Sequence, residues 1–527
     1  MAIVIARPSY SAESIQISYG LFERSIPIQS LETYATTGEI DEELAAYTRR
    51  LSTEERDRLR QILQTRLPLN TLQVSQFLYT PIGVNLLTRL SSVLRTNSET
   101  AGFYGLRAAL ILAANDPQGL TLLNLLRQYP LPEVRINLAR SLDIVETLQT
   151  QIEQTNRAIA LINQSTINQS TTNPPTTLPT LDLQQPGTYR WQKQTLQLTN
   201  QNRNRSFPTD LYLPQTETTQ PIVVISHGLG SDRTSFAYLA QHLASYGFVV
   251  AVPEHPGSNA AQLEALQSGR ADQVTPPREF VDRPLDIRDL LDELSRLSQS
   301  DSQFQGRFDV QQVGVIGQSF GGYTALALAG APIEQAELAQ SCQSDDLENT
   351  LNLSLLLQCL ALQLPPSQYE LADPRIKAAI AINPVSSSIF GQTGLSQIRI
   401  PTLIVASSND AVAPALPEQI RPFSWLTTPD KYLLLLNNGT HFSTVADSPN
   451  QTVPIPDEGL GDRSALARDY MNAFSTAFFQ TYLAKQPDYR SYLTSTYASE
   501  IERSPLTLSL VQSLPTDQFI QGAAQRD

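Results

Sequence analysis

Between about residue 220 and residue 440 the sequence repeats one pattern, a short unbroken apolar run followed by a stretch with helical spacing. The runs are "PIVVISHG", "FVVAVPEH", "QVGVIGQS", "IKAAIAINP", "PTLIVASSND" and "KYLLLLNNGTHF". Between them lie "SFAYLAQHLASYG", "PLDIRDLLDELSRL" and "GGYTALALAGA". A strand that is apolar on both sides has to be covered on both sides. Such strands alternating with helices therefore dictate an α/β fold, a mostly parallel, doubly wound sheet. "QTLQLTN" and "SFPTDLYLP" alternate around "QNRNR" and predict an antiparallel hairpin leading the sheet. A helix near "ALARDYMNAFSTAFFQTYLA" closes it.

A chain of 527 residues is too long for one core, so the sheet accounts for only part of it. Residues 1–162 read as a mainly helical N-terminal domain after an extended start, "SIQISYGLFERSIPIQS". Ser52 with Glu54 and Glu55 marks one helix start. "EVRINLARSLDIVETLQTQIEQTNRAIALI" carries the helical pattern to the end of that domain. Residues 163–187, rich in Asn, Gln, Ser, Thr and Pro, bury too little apolar surface to fold and predict a linker. The α/β domain then spans 188–490, with an insert at about 331–372, and 491–527 is a C-terminal extension.

The net charge is −14 and no dense Lys/Arg run occurs, which excludes nucleic acid as a partner. No stretch approaches the roughly 18 apolar residues of a membrane span. The start, "MAIVIARPSYSAES", has neither the basic residues nor the length of a signal peptide. Read as the stub of an export signal it places the protein outside the cytoplasm; otherwise the protein is cytoplasmic. Cys342 and Cys359 pair in an oxidising compartment or stay as buried thiols in a reducing one, and both readings fit.

Ser319 lies in Gly-Gln-Ser-Phe-Gly, between an apolar run and a helix of small residues. This is the pattern of a nucleophile on a sharp strand-to-helix turn, where Gly317 and Gly321 leave room for strand and helix to meet. A serine hydroxyl needs a base. Of the four histidines, only His441 follows Ser319. His242 sits mid-helix, His227 shapes a loop, and His255 ends a strand. In this architecture the order is Ser, acid, His, and Asp410 ends the apolar run "PTLIVASSND" between the two. The oxyanion donors are the N–H of Phe320, after the nucleophile, and of Leu229, in "HGLG". The expected chemistry is covalent ester hydrolysis through an acyl-enzyme. No metal and no cofactor is implied, because zinc-ligand spacings and a phosphate-loop Lys-Ser/Thr are absent from these motifs.

At these residues the chain resembles the α/β-hydrolase fold. "ISHGLGSDRTSFAYLAQHLASYGFVVAVPEH" with "GVIGQSFGG" resembles the lipoprotein-associated type of platelet-activating-factor acetylhydrolase and related bacterial esterases. The N-terminal region resembles an uncharacterised domain found ahead of such hydrolases in cyanobacteria. The resemblance implies calcium-independent hydrolysis of short or oxidised acyl esters of phospholipids. It carries Ser319, His441, Leu229 and Phe320 over to their roles. The acid departs from that family: the position after the strand in "AIAINP" is Asn383, and Asp410 lies one strand later. Gln318 replaces the commoner His of the turn.

The insert contains "LNLSLLLQCLALQL", apolar nearly all round. It reads as a lid over Ser319 with possible contact to a membrane surface, or as an extra core helix. The expected substrate is a lipid or small ester. A general carboxylesterase or polyester hydrolase, a peptidase on the same fold, and a non-catalytic protein whose N-terminal domain binds an unidentified partner are the alternatives.

Overall fold

The computed structural model describes residues 12–19, 22–49, 51–67, 69–95, 102–172, 180–343, 352–448 and 461–514. The chain divides into two compact units: one built on residues up to Thr150 together with Glu264–Val274, the other on most of the remainder.

In the first unit, strands β1 (Ser14–Tyr19), β2 (Phe22–Pro27), β3 (Leu94–Arg95) and β4 (Glu133–Asn137) form a sheet in the order β2-β1-β4-β3. The helix Thr53–Gln64 starts in a capping box in which Ser52 and Glu55 bond each other's backbone N–H. Leu31, Tyr34, Leu87, Leu106, Ala109 and Val134 are among its core. The segment 133–137 corrects the expected continuous helix. Val134 and Ile136 alternate with polar neighbours and pair with Ile15 and Ile17 of β1, so a distant strand overrides the local helical pattern.

The helix that follows runs from Leu138 to Thr172, ten residues into the expected linker. Ile162 and Thr166 are buried, and Asn163 bonds Asn437 and Ser509. Packing compensates for the weak helix propensity of this polar stretch. Residues 173–179 of the expected linker lie outside the described residues.

The second unit is built on a nine-stranded sheet in the order β13-β12-β11-β10-β9-β7-β8-β6-β5. In chain order these are β5 (Trp191–Asn200), β6 (Arg205–Pro214), β7 (Gln220–Ser226), β8 (Val249–Pro253), β9 (Phe308–Gln318), β10 (Ile376–Ile382), β11 (Thr402–Ser407), β12 (Lys431–Asn437) and β13 (Thr507–Val511). From β8 to β12 every pairing is parallel, and the pairings outside them are antiparallel. Val223 and Ile225 pack with the helices Ala237–Ser245 and Gly461–Tyr482, while Ile222 and Val224 are equally buried on the other side. This double coverage is what the unbroken apolar runs require. Within the expected C-terminal extension, Thr507–Val511 forms the sheet's edge strand. Leu506, Leu508 and Leu510 join the core, and Leu433 of β12 pairs with Val511. Residues 515–527 lie outside the described residues.

In the insert, Cys342 and Cys359 form a disulfide, with a Cα–Cα distance of 5.8 Å. Leu356, Leu357, Leu360 and Ala361 are buried, and Leu353 is exposed. Gln358, fully buried, donates to Glu418 and accepts from the N–H groups of Ser388 and Ile389. The helix Leu353–Cys359 and the turn Leu360–Gln363 are thus core elements, and 344–351 lies outside the described residues. Leu356→Asp is expected to abolish folding, and with it activity on every substrate. It forfeits about 1.5–3 kcal/mol of apolar burial and buries an unpaired carboxylate. A thermal melt and an acyl-length panel check this; a folded variant deficient only on long acyl chains would restore the lid.

Candidate active site

Parallel strands bring their carboxyl ends to one edge of the sheet, where sites form in doubly wound folds. Ser319 follows β9 there and caps the helix Phe320–Leu328. Its φ is 56° and its ψ −116°, a region a non-glycine residue rarely enters. Three bonds hold it: its N–H donates to Ile382, and Tyr323 and Val385 donate to its carbonyl at 3.1 and 3.2 Å. A Cβ on Gly317 would collide with the Gly321 carbonyl, and one on Gly321 with the Ser226 carbonyl. The two glycines are needed because strand and helix backbones touch. Three backbone bonds thus hold one serine in a conformation that costs on the order of 1–3 kcal/mol.

His441 and Asp410 meet after β12 and β11. His441 Nδ1 is 2.8 Å from Asp410 Oδ2. The Asp410 carboxylate also accepts from the N–H groups of Val412 and Ala413, from Gln419 Nε2 and from Asn383 Nδ2. Burial alone would raise its pKa. His441, the Ala413 N–H and Asn383 outweigh that and hold the carboxyl below the ordinary range. Asn383, at the end of β10, thus reaches the carboxylate that follows the next strand, at 2.7 Å. Gln318 Nε2 donates to the His441 carbonyl at 3.0 Å, tying the histidine loop to the turn that carries Ser319. Sequence reasoning singled out Gln318 but not this bond; Gln419 left no sequence signal.

Leu229 lies in the turn after β7, half-buried. The Gly230 N–H donates to the Ser258 carbonyl, and His227 Nε2 accepts from the His255 N–H at 3.0 Å. His227 Nδ1, 2.8 Å from the Gly228 carbonyl, therefore carries the ring's proton. Burial pulls this imidazole down to about 4, so it is a neutral brace for the loop. Phe320 is the first residue of its helix, where an N–H has no intrahelical acceptor. His255 is wholly buried, and His242 is buried in its helix. Among the described residues no cluster of His, Cys, Asp and Glu is arranged to hold a metal ion, and no helix is long and apolar enough to cross a membrane.

Three family models match the chain. Residues 11–137 match an alpha/beta hydrolase of unknown function (DUF1400), residues 188–281 platelet-activating factor acetylhydrolase, isoform II, and residues 368–460 a PET hydrolase-like family. The second match holds Leu229 and the third Asp410 and His441; Ser319 falls between them. Cutinase 2 of Thermobifida cellulosilytica is 26% identical over 251 residues, 46% of this chain and 68% of that protein. Cutinase cut1 of Thermobifida fusca is 26% identical over 251 residues, covering 46% and 56%. Platelet-activating factor acetylhydrolase of Cavia porcellus is 28% identical over 134 residues, covering 20% and 31%. The chain spans only part of each relative. The sheet and these matches define an α/β-hydrolase fold. Within that class the chain is similar, at low identity, to ester hydrolases of the cutinase, PET hydrolase-like and platelet-activating factor acetylhydrolase kinds.

Proposed function

We propose that the protein is a serine hydrolase of carboxylic esters, with Ser319 as nucleophile, His441 as base and Asp410 as the acid that orients it. The observation that carries this reading is the strained turn at Ser319, tied through Gln318 to the loop of a histidine whose Nδ1 is bonded to a buried carboxylate. Asp410 accepts a hydrogen bond from the Nδ1–H of His441, which keeps the proton there and leaves Nε2 as the basic nitrogen. Ser319 Oγ attacks the acyl carbonyl as Nε2 takes its proton. The N–H groups of Leu229 and Phe320 receive the oxyanion. His441 then returns the proton to the leaving alcohol, and water, activated by the same nitrogen, releases the acid.

The substrate class we favour is short or oxidised acyl esters of phospholipids, from the likeness of the Leu229 loop region to platelet-activating factor acetylhydrolase. A second reading, polymeric esters, is favoured by the longer stretch of likeness to cutinases and by the PET hydrolase-like match over the residues that hold Asp410 and His441. Hydrolysis rates on matched short- and long-acyl phospholipids, nitrophenyl esters, a polyester film and an amide separate the two. Fastest turnover on short-acyl phospholipid supports the first; release of soluble acid from the film without phospholipid turnover replaces it with the second. Cleavage of the amide alone would make the protein a peptidase.

A further inference from the structure

The helix Glu279–Ser300 carries Arg283, whose side chain is wholly buried. Its guanidinium makes four hydrogen bonds. Nη2 donates to the His227 carbonyl and, at 3.1 Å, to Ser226 Oγ. Nη1 donates to Ser258 Oγ at 2.7 Å, and Nε to Thr324 Oγ1 at 3.1 Å. Its central carbon lies 4.7 Å from the centroid of the Phe320 ring. Thr324 in turn donates to the Phe320 carbonyl. Arg283 therefore grips the loop that presents Leu229 and also the first turn of the helix that presents Phe320.

The grip is itself braced. Ser226 Oγ is 3.0 Å from His255 Nε2, and His255 Nδ1 is 2.9 Å from Asp286 Oδ2. Burial, then the neighbouring Arg283, holds His255 well below its ordinary pKa. With neutral His255 donating from Nδ1, the Ser226 hydroxyl donates to Nε2 and accepts from Arg283. Ser226, His255 and Asp286 thus repeat the connectivity of a catalytic triad, yet all three are fully buried. Ser258 donates to Glu279, and Arg205 bonds both Glu279 and Asp286. Glu279 and Asp286 supply the counter-charge a buried guanidinium needs. Burial pulls Arg283 down only to about 10, so it is charged at neutral pH.

We propose that Arg283 is a positioning residue for the oxyanion site, one buried cation that holds both segments whose N–H groups receive the oxyanion and sets positive charge behind them. This rests on the serine-hydrolase reading above. A positioned donor acts mainly on the tetrahedral state, so its disturbance lowers kcat and leaves KM nearly unchanged.

The test compares Arg283→Lys, which keeps the charge and loses the planar fork, with Thr324→Val, which keeps the arginine and removes one acceptor. Turnover of a nitrophenyl acetate is measured below the melting temperature of each variant. The affinity for a trifluoromethyl ketone, which forms a tetrahedral adduct on the serine, is measured alongside. Arg283→Lys is expected to lose about ten- to a hundredfold in kcat, Thr324→Val about threefold, with KM within about twofold. Ketone affinity should fall in step with kcat. Folded variants with wild-type kcat and ketone affinity overturn the inference, as do losses that follow only the unfolded fraction. A wild-type protein that neither cleaves esters nor reacts with a fluorophosphonate overturns the serine-hydrolase reading first and the inference with it.

Discussion

Ser319→Ala is expected to reduce ester turnover by about a millionfold, the loss seen when the nucleophile of such a triad is removed. A fluorophosphonate probe should label the wild-type protein and not the variant. The fold should survive. The bonds that hold the turn involve the backbone N–H and carbonyl of Ser319, which alanine retains. The melting temperature should therefore stay within a few degrees of wild type, as for a substitution of about 0.5 kcal/mol. The experiment also discriminates between two serines. Ser226 is bonded to His255 and through it to Asp286, so connectivity alone would nominate it as well. It is fully buried, and its hydroxyl is enclosed between an imidazole and Arg283. Labelling that persists in Ser319→Ala would move the nucleophile elsewhere and end the assignment.

What the sequence made legible was local or periodic. Unbroken apolar runs announced β7 to β12, because a strand buried on both faces needs no polar alternation. The turn at Ser319 was legible because backbone contact admits only glycine at 317 and 321. Ser319, Asp410 and His441 follow β9, β11 and β12, so their place after strand ends could be read from the apolar runs before them. The misreadings were tertiary. The strand at 133–137 forms because β1 accepts it, and the helix continues to Thr172 because Asn163 bonds Asn437 and Ser509 and Thr166 is buried. The strand at 507–511 is short, and its pairing with β12 is invisible to any window of sequence. Asn383 stood out only as a missing acid. Its bond to Asp410 crosses between strand ends, and that of Gln419 comes from the helical turn Leu416–Ile420; no spacing encodes either.

Asp410→Asn is expected to lower kcat by about ten-thousandfold, because the amide forces the wrong imidazole tautomer. One carboxylate oxygen, Oδ1, accepts from the N–H groups of Val412 and Ala413 at 2.9 and 2.7 Å. The other, Oδ2, faces three donors: His441 Nδ1, Asn383 Nδ2 and Gln419 Nε2. An asparagine that keeps its oxygen toward the backbone turns its NH2 toward those donors. His441 then has to accept at Nδ1 and carry its proton on Nε2, where it cannot act as base. Asn383 and Gln419 cannot simply turn over, since their oxygens already accept from the Ser407 hydroxyl and N–H. The variant should therefore also lose about 1–3 kcal/mol of stability from donors left facing donors. That loss has a pH signature. The folded-state pKa of Asp410 is depressed, so its stabilisation is complete above the ordinary aspartate value of about 3.9 and disappears as pH falls through the lower folded value. Melting curves of wild type and variant should accordingly lie apart at neutral pH and converge in acid. If Asp410→Asn kept more than about a tenth of wild-type kcat, a different group would be orienting His441, because tautomer control by this carboxylate leaves no room for so small an effect.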